Sequence, residues 1–486
     1  MIKTGEAHLR TLRDDRRIYI SGCAIEDVTT HPAFRNAAAT VGELYDFQAE
    51  PAQVERMTFE TSGGRRANRA WQLPKSHAEL VQRREALTAW SELHCGFMGR
   101  SPDHVASCIS AMAMGKDLFE SHGKGRGAAL WDYYGYARDN DLYLAYVIID
   151  PQADRSKSTG EQADEYLTAA ICDEDAEGIT IKGAKMLGTS AVFANEILVA
   201  SLRPMRDGET KSAFTAAVPI GAPGVKLLSR KSYEMGVSRF DYPLSAVFDE
   251  NDAIVYFDEV KVPWERVFVH RNPAMSFAQF HETPAHSYQN YQAQIRLAVK
   301  LRFLIGVARR VCETIGTIDF PQVRESLGML AAKAGMIEGG VYAMEAKGSH
   351  YGPYFLPDRG LLYSATVLAQ QLYPEFITAI RDLAGGGVIM LPSSVEDFDN
   401  PEIAAVIAKT QLSPRTDPRG RVKLFKLAWD SIGSEFASRH TQYEMFYNGA
   451  RHFTTAHAFR TYDWDAATGL VDKLMAGYDQ PVQIAR

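Results

Sequence analysis

The sequence predicts an α+β protein in three parts: an N-terminal helical domain, a central antiparallel β domain and a C-terminal four-helix bundle. Three observations carry this. At 486 residues the chain is long for one core and suits about three domains of roughly 150 residues each. Its apolar spacing changes twice, from helix-like to strand-like after about residue 142 and back after about residue 281. Gly, Asp and Pro cut the middle stretch into short runs, whereas the last stretch holds long ones. The expected boundaries are 1–145, 146–275 and 276–486.

In the first part, Pro102 to about His122 places Val105, Cys108, Ile109, Met112, Leu118 and Phe119 at helical spacing. Ser101 suits the N-cap and Pro102 the first helical position, while Asp103 complements the positive end of the helix dipole. In the middle, Tyr166–Cys172, Ile179–Gly183, Glu196–Ser201, Ala213–Pro219, Leu244–Phe248 and Ala253–Val260 are expected strands, being β-branched or aromatic runs. Asp249-Glu250-Asn251-Asp252 reads as a polar turn between the last two. In the third part, Ala293–Ile315, Val323–Met344, Gly360–Leu383 and Arg419–Tyr447 repeat apolar residues at i, i+3 and i+4, the pattern of a bundle. Gly385-Gly386-Gly387 interrupts the last pair.

Apolar residues at 46% and charged residues at 23% are those of an ordinary globular chain. A formal net charge of −7 argues against a broad basic face for nucleic acid or anionic lipid. No apolar run approaches the ~18 residues that span a bilayer, so no membrane partner is expected. The opening MIKTGEAHLRTLRDDRR turns polar at once, without an apolar signal core. A cytoplasmic location follows as the expectation. Cys23, Cys95, Cys108, Cys172 and Cys312 are widely spaced with no Cys-x-x-Cys, which favours reduced thiols over a disulfide or zinc scaffold. No metal ligands are nominated.

The order α, β, α fits the acyl-CoA dehydrogenase type of fold, in which flavin lies between a β domain and a helical bundle. A fold alone does not fix a function. The residues go further. Thr4-Gly5-Glu6-Ala7-His8-Leu9 is followed by DDRRIYISG (14–22), DVTTHPAF (27–34), LYDF (44–47) and MGRSPDH (98–104). Then come ARDNDLYLAYVIIDPQADRSKS (137–158), KMLGTSAVFANEILVAS (185–201), FDYPLSAVFDENDAIVYFDEVKVPWERVF (240–268) and GGGVIMLPSS (385–394). In order and separation these resemble the flavin-dependent aromatic hydroxylases typified by the large component of 4-hydroxyphenylacetate 3-monooxygenase. The resemblance implies an enzyme that takes reduced FAD (FADH2) from a separate flavin reductase. With O2 as co-substrate it would form a C4a-hydroperoxyflavin and hydroxylate a phenolic or other electron-rich aromatic. It also implies a homotetramer assembled through the bundle.

Arg100 stands just before a helix start, where its guanidinium and the helix N-terminus can both face an anion. An ortho-hydroxylation needs the phenol as phenolate, and a fixed cation beside the oxygen lowers its pKa. The matching Arg has that role in the family. At position 104 the hydroxylases have Tyr, and at 145–146 they have Thr-His where this chain has Ala145-Tyr146. His104 and Tyr146 therefore read as an exchange of phenol and imidazole around one substrate oxygen. His104 would act as general base or second cation, and Tyr146 as a hydrogen-bond donor. Ser201-Leu202 stands where the hydroxylases have Ser-Thr against the substrate tail. Leu202 removes a hydroxyl, which makes a carboxylate-tailed phenylacetate a poorer fit.

The flavin contacts implied by the resemblance begin with Tyr146 and with Gln152, Asp154, Arg155 and Ser156, which match a Gln-Val-Asp-Arg-Ser at the isoalloxazine edge and phosphate chain. Thr189 matches a Thr beside the flavin N5. Gly385 and Gly386 resemble a Gly-Gly-Ser-Gly loop whose backbone approaches the pyrophosphate, in this fold from a neighbouring subunit. Arg381 replaces a Gln and can still meet phosphate or adenine. Asn448 and Gly449 belong to a segment in which the family's Gly-Asp has become Gly449-Ala450.

No Gly-x-Gly-x-x-Gly opens a strand–helix unit, so the chain is not expected to bind its own nicotinamide. The related 4-hydroxybutyryl-CoA dehydratases hold an iron–sulfur cluster through three cysteines and a histidine. Here Cys95 alone lies near the first ligand region, Gly99 stands four residues on, Tyr291 replaces the histidine and Cys312 lies too far along. Two other readings stay open. An acyl-CoA dehydrogenase-like oxidoreductase needs a Glu base facing the flavin, which nothing nominates. A non-catalytic flavin-binding relative is opposed by Arg100 and the segment 152–156.

Overall fold

The computed structural model describes residues 2–478 apart from Gln152, Arg155, Ser158, Thr159, Gly160 and Ala163. Among these, strands assemble into two main sheets. The larger has six strands in the order Cys23–Ile25, Arg17–Ile20, Val225–Ser229, Ala253–Pro263, Gly178–Lys185, Ala170–Glu174. The smaller runs Val267–Val269, Thr215–Pro219, Glu196–Val199, Leu144–Val147. Burial alternates along Gly178–Lys185, as expected for a strand with one face on the core. In Ala253–Pro263 the alternation breaks at a bulge between Phe257 and Val260, where Glu259 takes a positive φ of 55°.

The expectation of an antiparallel domain holds for most pairings, with two exceptions. Arg17–Ile20 pairs parallel with Val225–Ser229, setting Ile18 opposite Leu227. Leu144–Val147 pairs parallel with Glu196–Val199, setting Tyr146 opposite Leu198. The first of these pairs draws two strands from the N-terminal segment into the central sheet. Such three- and four-residue strands carry too little pattern to be read from sequence.

Four other expectations are corrected. Leu244–Phe248 is not a strand; Ser245–Phe248 is a helical turn, because the Asp430 carboxylate accepts from the Leu244 and Ser245 amides (2.8 Å each). Pro102–His122 is two helices, Pro102–Met114 and Lys116–His122, parted at Gly115, where a Cβ would come within 2.6 Å of Thr283. Ser101 does not cap the first of them, since its hydroxyl donates to Asp103 Oδ1 instead. Arg419–Tyr447 is likewise two helices, Pro418–Ile432 and Glu435–Phe446. Ser434 caps the second by accepting from the Ala437 amide (3.1 Å).

The remaining bundle helices are Ala285–Ile315, Pro321–Ala346 and Arg359–Ala384, close to expectation. The first ends at Gly316, whose positive φ of 76° lets its amide reach back to the helix's last carbonyls. The bundle core joins Leu304, Ile337, Phe376, Ile380, Ile432 and Phe436. A second core joins Val105, Ile109, Tyr146, Leu198, Tyr288 and Ile295, fusing the small sheet to Pro102–Met114 and the bundle. Each such side chain contributes about 1.5–3 kcal/mol when fully buried. All of Pro102–Met114 is buried in this seam, which fixes the helix start that carries Arg100.

Candidate active site

Arg100 is held at its backbone before its side chain does anything. Its amide donates to Glu250 Oε2 (2.9 Å), and its carbonyl accepts from the Tyr143 hydroxyl (2.7 Å). Its guanidinium, largely buried, lies over the Tyr447 ring at 3.9 Å and beside the Tyr146 ring at 5.0 Å. Nη1 donates to His104 Nε2 (2.5 Å) and Nη2 to the Tyr447 carbonyl (3.4 Å). Among the described residues no carboxylate forms an ion pair with it. The Glu250 carboxylate, itself paired with Arg439, favours the Arg100 charge without an ion pair to the guanidinium, which leaves that group able to take a further anion.

His104 stacks on Tyr146, with centroids 5.4 Å apart and planes 24° apart. Because Arg100 can only donate, Nε2 must be the unprotonated nitrogen and Nδ1 must carry the hydrogen. Nδ1 faces Gln292 Oε1 at 3.1 Å and the Tyr447 hydroxyl at 3.0 Å, both from the helical side. Burial, and then the Arg100 charge, hold the His104 pKa well below 6.5. That direction favours the general-base role of His104 over the second-cation role, and Arg296, 4.9 Å from the Tyr447 ring, is the other cation nearby. Burial raises the Tyr146 pKa, while Arg100 opposes that rise.

The turn at Asp249–Asp252, expected as a polar turn between strands, is a buried hub. Arg439 donates to Glu250 Oε1 (2.7 Å) and to both Asp252 oxygens (2.6 and 3.0 Å), tying the bundle to the sheet. Arg230 adds contacts to Asp252 (2.8 Å) and Asp249 (2.6 Å). The Thr189 hydroxyl donates to Asp252 Oδ1 (2.6 Å), so Thr189 has only lone pairs to offer any further group. These arginines hold the Asp252 carboxyl below its usual range against the opposing effect of burial.

Ser201 is buried and accepts from Lys185 Nζ (2.9 Å), which also pairs with Asp150 (2.6 Å). Leu202 packs half-buried on the core around Tyr146. Asp154 and Ser156 form an exposed turn, with the Ser156 amide and hydroxyl donating to Asp154 Oδ1 (3.0 and 2.6 Å). Gln152 and Arg155 lie outside the described residues. Gly385, at a positive φ of 58°, and Gly386 have open space where a Cβ would stand. Arg381 directs Nε and Nη2 to the Ile432 carbonyl (3.0 and 2.5 Å), so the glycine turn and Arg381 do not join the Arg100 cluster. Gly449 is at a positive φ of 102°, with its carbonyl accepting from Gln370 (2.7 Å). Asn448 Oδ1 and the Tyr443 hydroxyl are buried atoms without a partner.

Sequence reasoning missed Tyr447, Gln292 and Arg439. Tyr447 sits in the same short segment as Asn448 and Gly449, so the segment was found and its central residue overlooked. Outside the pocket, His281, His286 and His457 bring nitrogens within 4.8 Å of one another. His281 stacks on His457 and His286 lies tilted against both, while Arg460 Nη2 donates to His457 Nδ1 (2.9 Å) and Arg359 lies near. Two guanidiniums oppose a metal cation there.

At the seam of a β layer and the bundle, the Arg100 guanidinium, in no ion pair with a carboxylate among the described residues, is framed by the Tyr146 and Tyr447 rings and the His104 imidazole. The chain belongs to the 4-hydroxyphenylacetate 3-hydroxylase family, whose N-terminal part matches residues 4–269 and C-terminal part residues 277–476. It is 35% identical to the 4-hydroxyphenylacetate 3-monooxygenase oxygenase component of Pseudomonas aeruginosa, covering 98% of this chain and 93% of that one. It is 34% identical to the 4-nitrophenol 2-monooxygenase oxygenase component of a Rhodococcus species, covering 98% and 92%. A crystal structure of a 4-hydroxyphenylacetate 3-monooxygenase oxygenase component with FAD and 4-hydroxyphenylacetate superposes with a TM-score of 0.93 at 29% identity, covering 98% of both chains.

Proposed function

We propose that this protein is the oxygenase component of a two-component aromatic monooxygenase, which draws reduced FAD from a separate reductase and hydroxylates a phenol beside its oxygen. The observation that carries the reading is the Arg100 guanidinium, largely buried and in no ion pair with a carboxylate among the described residues, with His104 Nε2 at hydrogen-bond distance. When bound, reduced FAD would supply the electrons that activate O2, from which the inserted oxygen atom comes. The protein's own residues do the rest. Arg100 holds the substrate oxygen as an anion, His104 Nε2 takes its proton, and the Tyr146 and Tyr447 rings wall the pocket against water.

The residues present fit the cofactor. Thr189, able only to accept, suits the N5–H of a reduced flavin. Asn448 Oδ1 and the Tyr443 hydroxyl are buried and unpartnered beside the Arg100 cluster. Gly385 and Gly386 leave backbone open to a pyrophosphate. Asp154, Ser156, Gln152, Arg155, Arg381 and Gly449 complete the expected set.

The substrate we favour is a phenol whose para substituent bears no carboxylate. Ser201 is already engaged by Lys185, and Leu202 offers no hydroxyl to a carboxylate tail. The terminal helix Trp464–Tyr478 has no buried residue and exposes Leu470, Val471, Leu474 and Met475, a surface that supports assembly into a homotetramer. No helix among the described residues is long and apolar enough to cross a membrane, in keeping with the cytoplasmic placement we favour.

Mixing the protein with FADH2, O2 and a panel of para-substituted phenols tests the reading. Hydroxylated product in proportion to flavin oxidised is expected. Oxidation of all the flavin to hydrogen peroxide, with no aromatic product from any phenol, overturns it.

A further inference from the structure

We propose that Gln292 and Tyr447 are positioning residues that lock His104 with its hydrogen on Nδ1, so that Nε2 is always presented to the substrate oxygen as a base. This rests on the proposed monooxygenase reading and goes a step deeper into the same site.

The chain of contacts has one direction. Asp103 is buried, and its Oδ2 accepts from Gln292 Nε2 (3.1 Å). That fixes the amide so that Gln292 Oε1, and not its nitrogen, faces His104 Nδ1 (3.1 Å). The Tyr447 hydroxyl donates to the Gly99 carbonyl (2.6 Å), so its oxygen is left to accept, and it too lies against Nδ1 (3.0 Å). Two acceptors thus converge on one ring nitrogen and none on the other. Nδ1–H is the tautomer that both satisfy, and Nε2 is left with its lone pair toward Arg100. Gln292 and His104 are buried, so no bulk water substitutes for the missing acceptor.

The consequence is chemical. When a phenol enters, its O–H can donate to Nε2 in place of Arg100 Nη1. The O–H bond breaks and an N–H bond forms at Nε2, and the electron pair stays on the phenolate beside the guanidinium. The resulting imidazolium carries both hydrogens, with Nδ1–H still held by Gln292 and Tyr447. A free ring would populate the other tautomer, in which Nε2–H meets the phenol as a donor and cannot take its proton. The charged or titratable groups facing His104 are Arg100 at the helix start, Tyr146 from the small sheet, Tyr447 after the bundle helix, and Arg296 from Ala285–Ile315.

The test needs neither flavin nor O2. The full-length protein binds 4-nitrophenol, whose phenolate absorbs visible light and whose phenol form does not, and the bound probe is titrated with pH. In the unaltered protein the probe should ionise at lower pH than in water. Gln292→Leu and Tyr447→Phe should each raise that midpoint in part, and the pair together by about one pH unit, a ten-fold loss of phenolate preference. Gln292→Glu, which shares a proton with the Asp103 carboxylate in place of the amide's hydrogen bond, keeps the acceptor toward Nδ1 and should hold the midpoint at or below that of the unaltered protein. A double variant that binds the probe with an unchanged midpoint overturns the lock. Should Gln292→Leu fail to fold, Gln292→Glu decides. A midpoint raised above that of the unaltered protein reduces Gln292 to packing. If the unaltered protein binds no 4-nitrophenol, the lock falls together with the phenol pocket. A normal titration with no oxygenation would instead leave the lock standing and refute the monooxygenase reading alone.

Discussion

The Arg100 guanidinium lies 3.9 Å from the centre of the Tyr447 ring, with Tyr146 on another side at 5.0 Å, and among the described residues no carboxylate pairs with it. A cation held this way is a liability to the empty fold and an asset to a bound anion. Arg100→Met keeps most of the volume between the rings and removes the charge. We expect its thermal midpoint to stay level or rise, while kcat/KM for product falls by about 10²-fold or more, the scale of losing one oxyanion-stabilising group. A drop of several degrees in the melting temperature with turnover intact would make the guanidinium structural.

The Asp252 carboxylate is shared by Arg439, Arg230 and the Thr189 hydroxyl. Asp252→Asn leaves Arg439 with Glu250 and Arg230 with Asp249 as their remaining carboxylates, and should cost about 1.5–3 kcal/mol in chemical denaturation, the scale of hydrogen bonds to a charged group. Thr189→Val deletes one hydrogen bond and should cost only about 1 kcal/mol. Yet it is the second variant that should raise the share of reduced flavin lost as hydrogen peroxide, because its oxygen lies free to meet the cofactor. Equal uncoupling in a folded Asp252→Asn variant would assign the effect to the hub as a whole.

The contrast between these residues shows what the chain disclosed in advance. Arg100 and His104 stand four apart at a helix start, so their meeting was readable from local spacing. Tyr447 reaches His104 across 343 residues, which no local pattern records. Asp249–Asp252 shows in the sequence only as a polar turn, because charged residues are seldom buried unless paired and the partners Arg230 and Arg439 belong to distant segments. Leu244–Phe248 has the apolar run of a strand, but Asp430 caps its amides from another helix and turns it helical. The long helices were legible because each repeats its pattern over many turns. Where the exact contact decides the role, as with Thr189 donating to Asp252, only the folded arrangement could supply it.

Acid should unfold the protein in two stages. Burial, then neighbouring His457, Arg359 and Arg460, lower His281 to about 3; burial, then Arg460 and Arg359, lower His457 to about 4. Their folded pKa values lie below the unfolded 6.5, so between those limits the unfolded chain binds protons that the native state refuses. Stability is then complete above pH 6.5 and declines as pH falls toward 4, each histidine adding a slope of up to about 1.4 kcal/mol per pH unit. Burial opposes, but Arg296 and Lys300 outweigh it and hold Glu444 down to about 2, so its contribution is lost later, from about 4.5 downward. Denaturant midpoints measured from pH 7 to 4 check this. His281→Phe should flatten the upper stage, and an unchanged slope would remove the histidine cluster as its source.

His104 and Tyr146 face one another as stacked rings, 5.4 Å between centres, with Arg100 against both. Exchanging them would keep one imidazole and one phenol beside the guanidinium and nearly the same total volume, so the double variant His104→Tyr with Tyr146→His should fold. Each single variant doubles one chemistry. His104→Tyr leaves three phenols, with Tyr447, and no base, and Tyr146→His puts a second imidazole beside Arg100 without an acceptor such as Gln292 to set its tautomer. We expect each single to lose about 10²-fold in product formation, the usual contribution of general base catalysis. The pair together should recover activity toward simple para-substituted phenols beyond either single variant, giving a coupling energy of about 1–3 kcal/mol in a double-mutant cycle. Purely additive losses, with all three variants folded, would mean that the two rings act independently and that their positions are not interchangeable around one substrate oxygen.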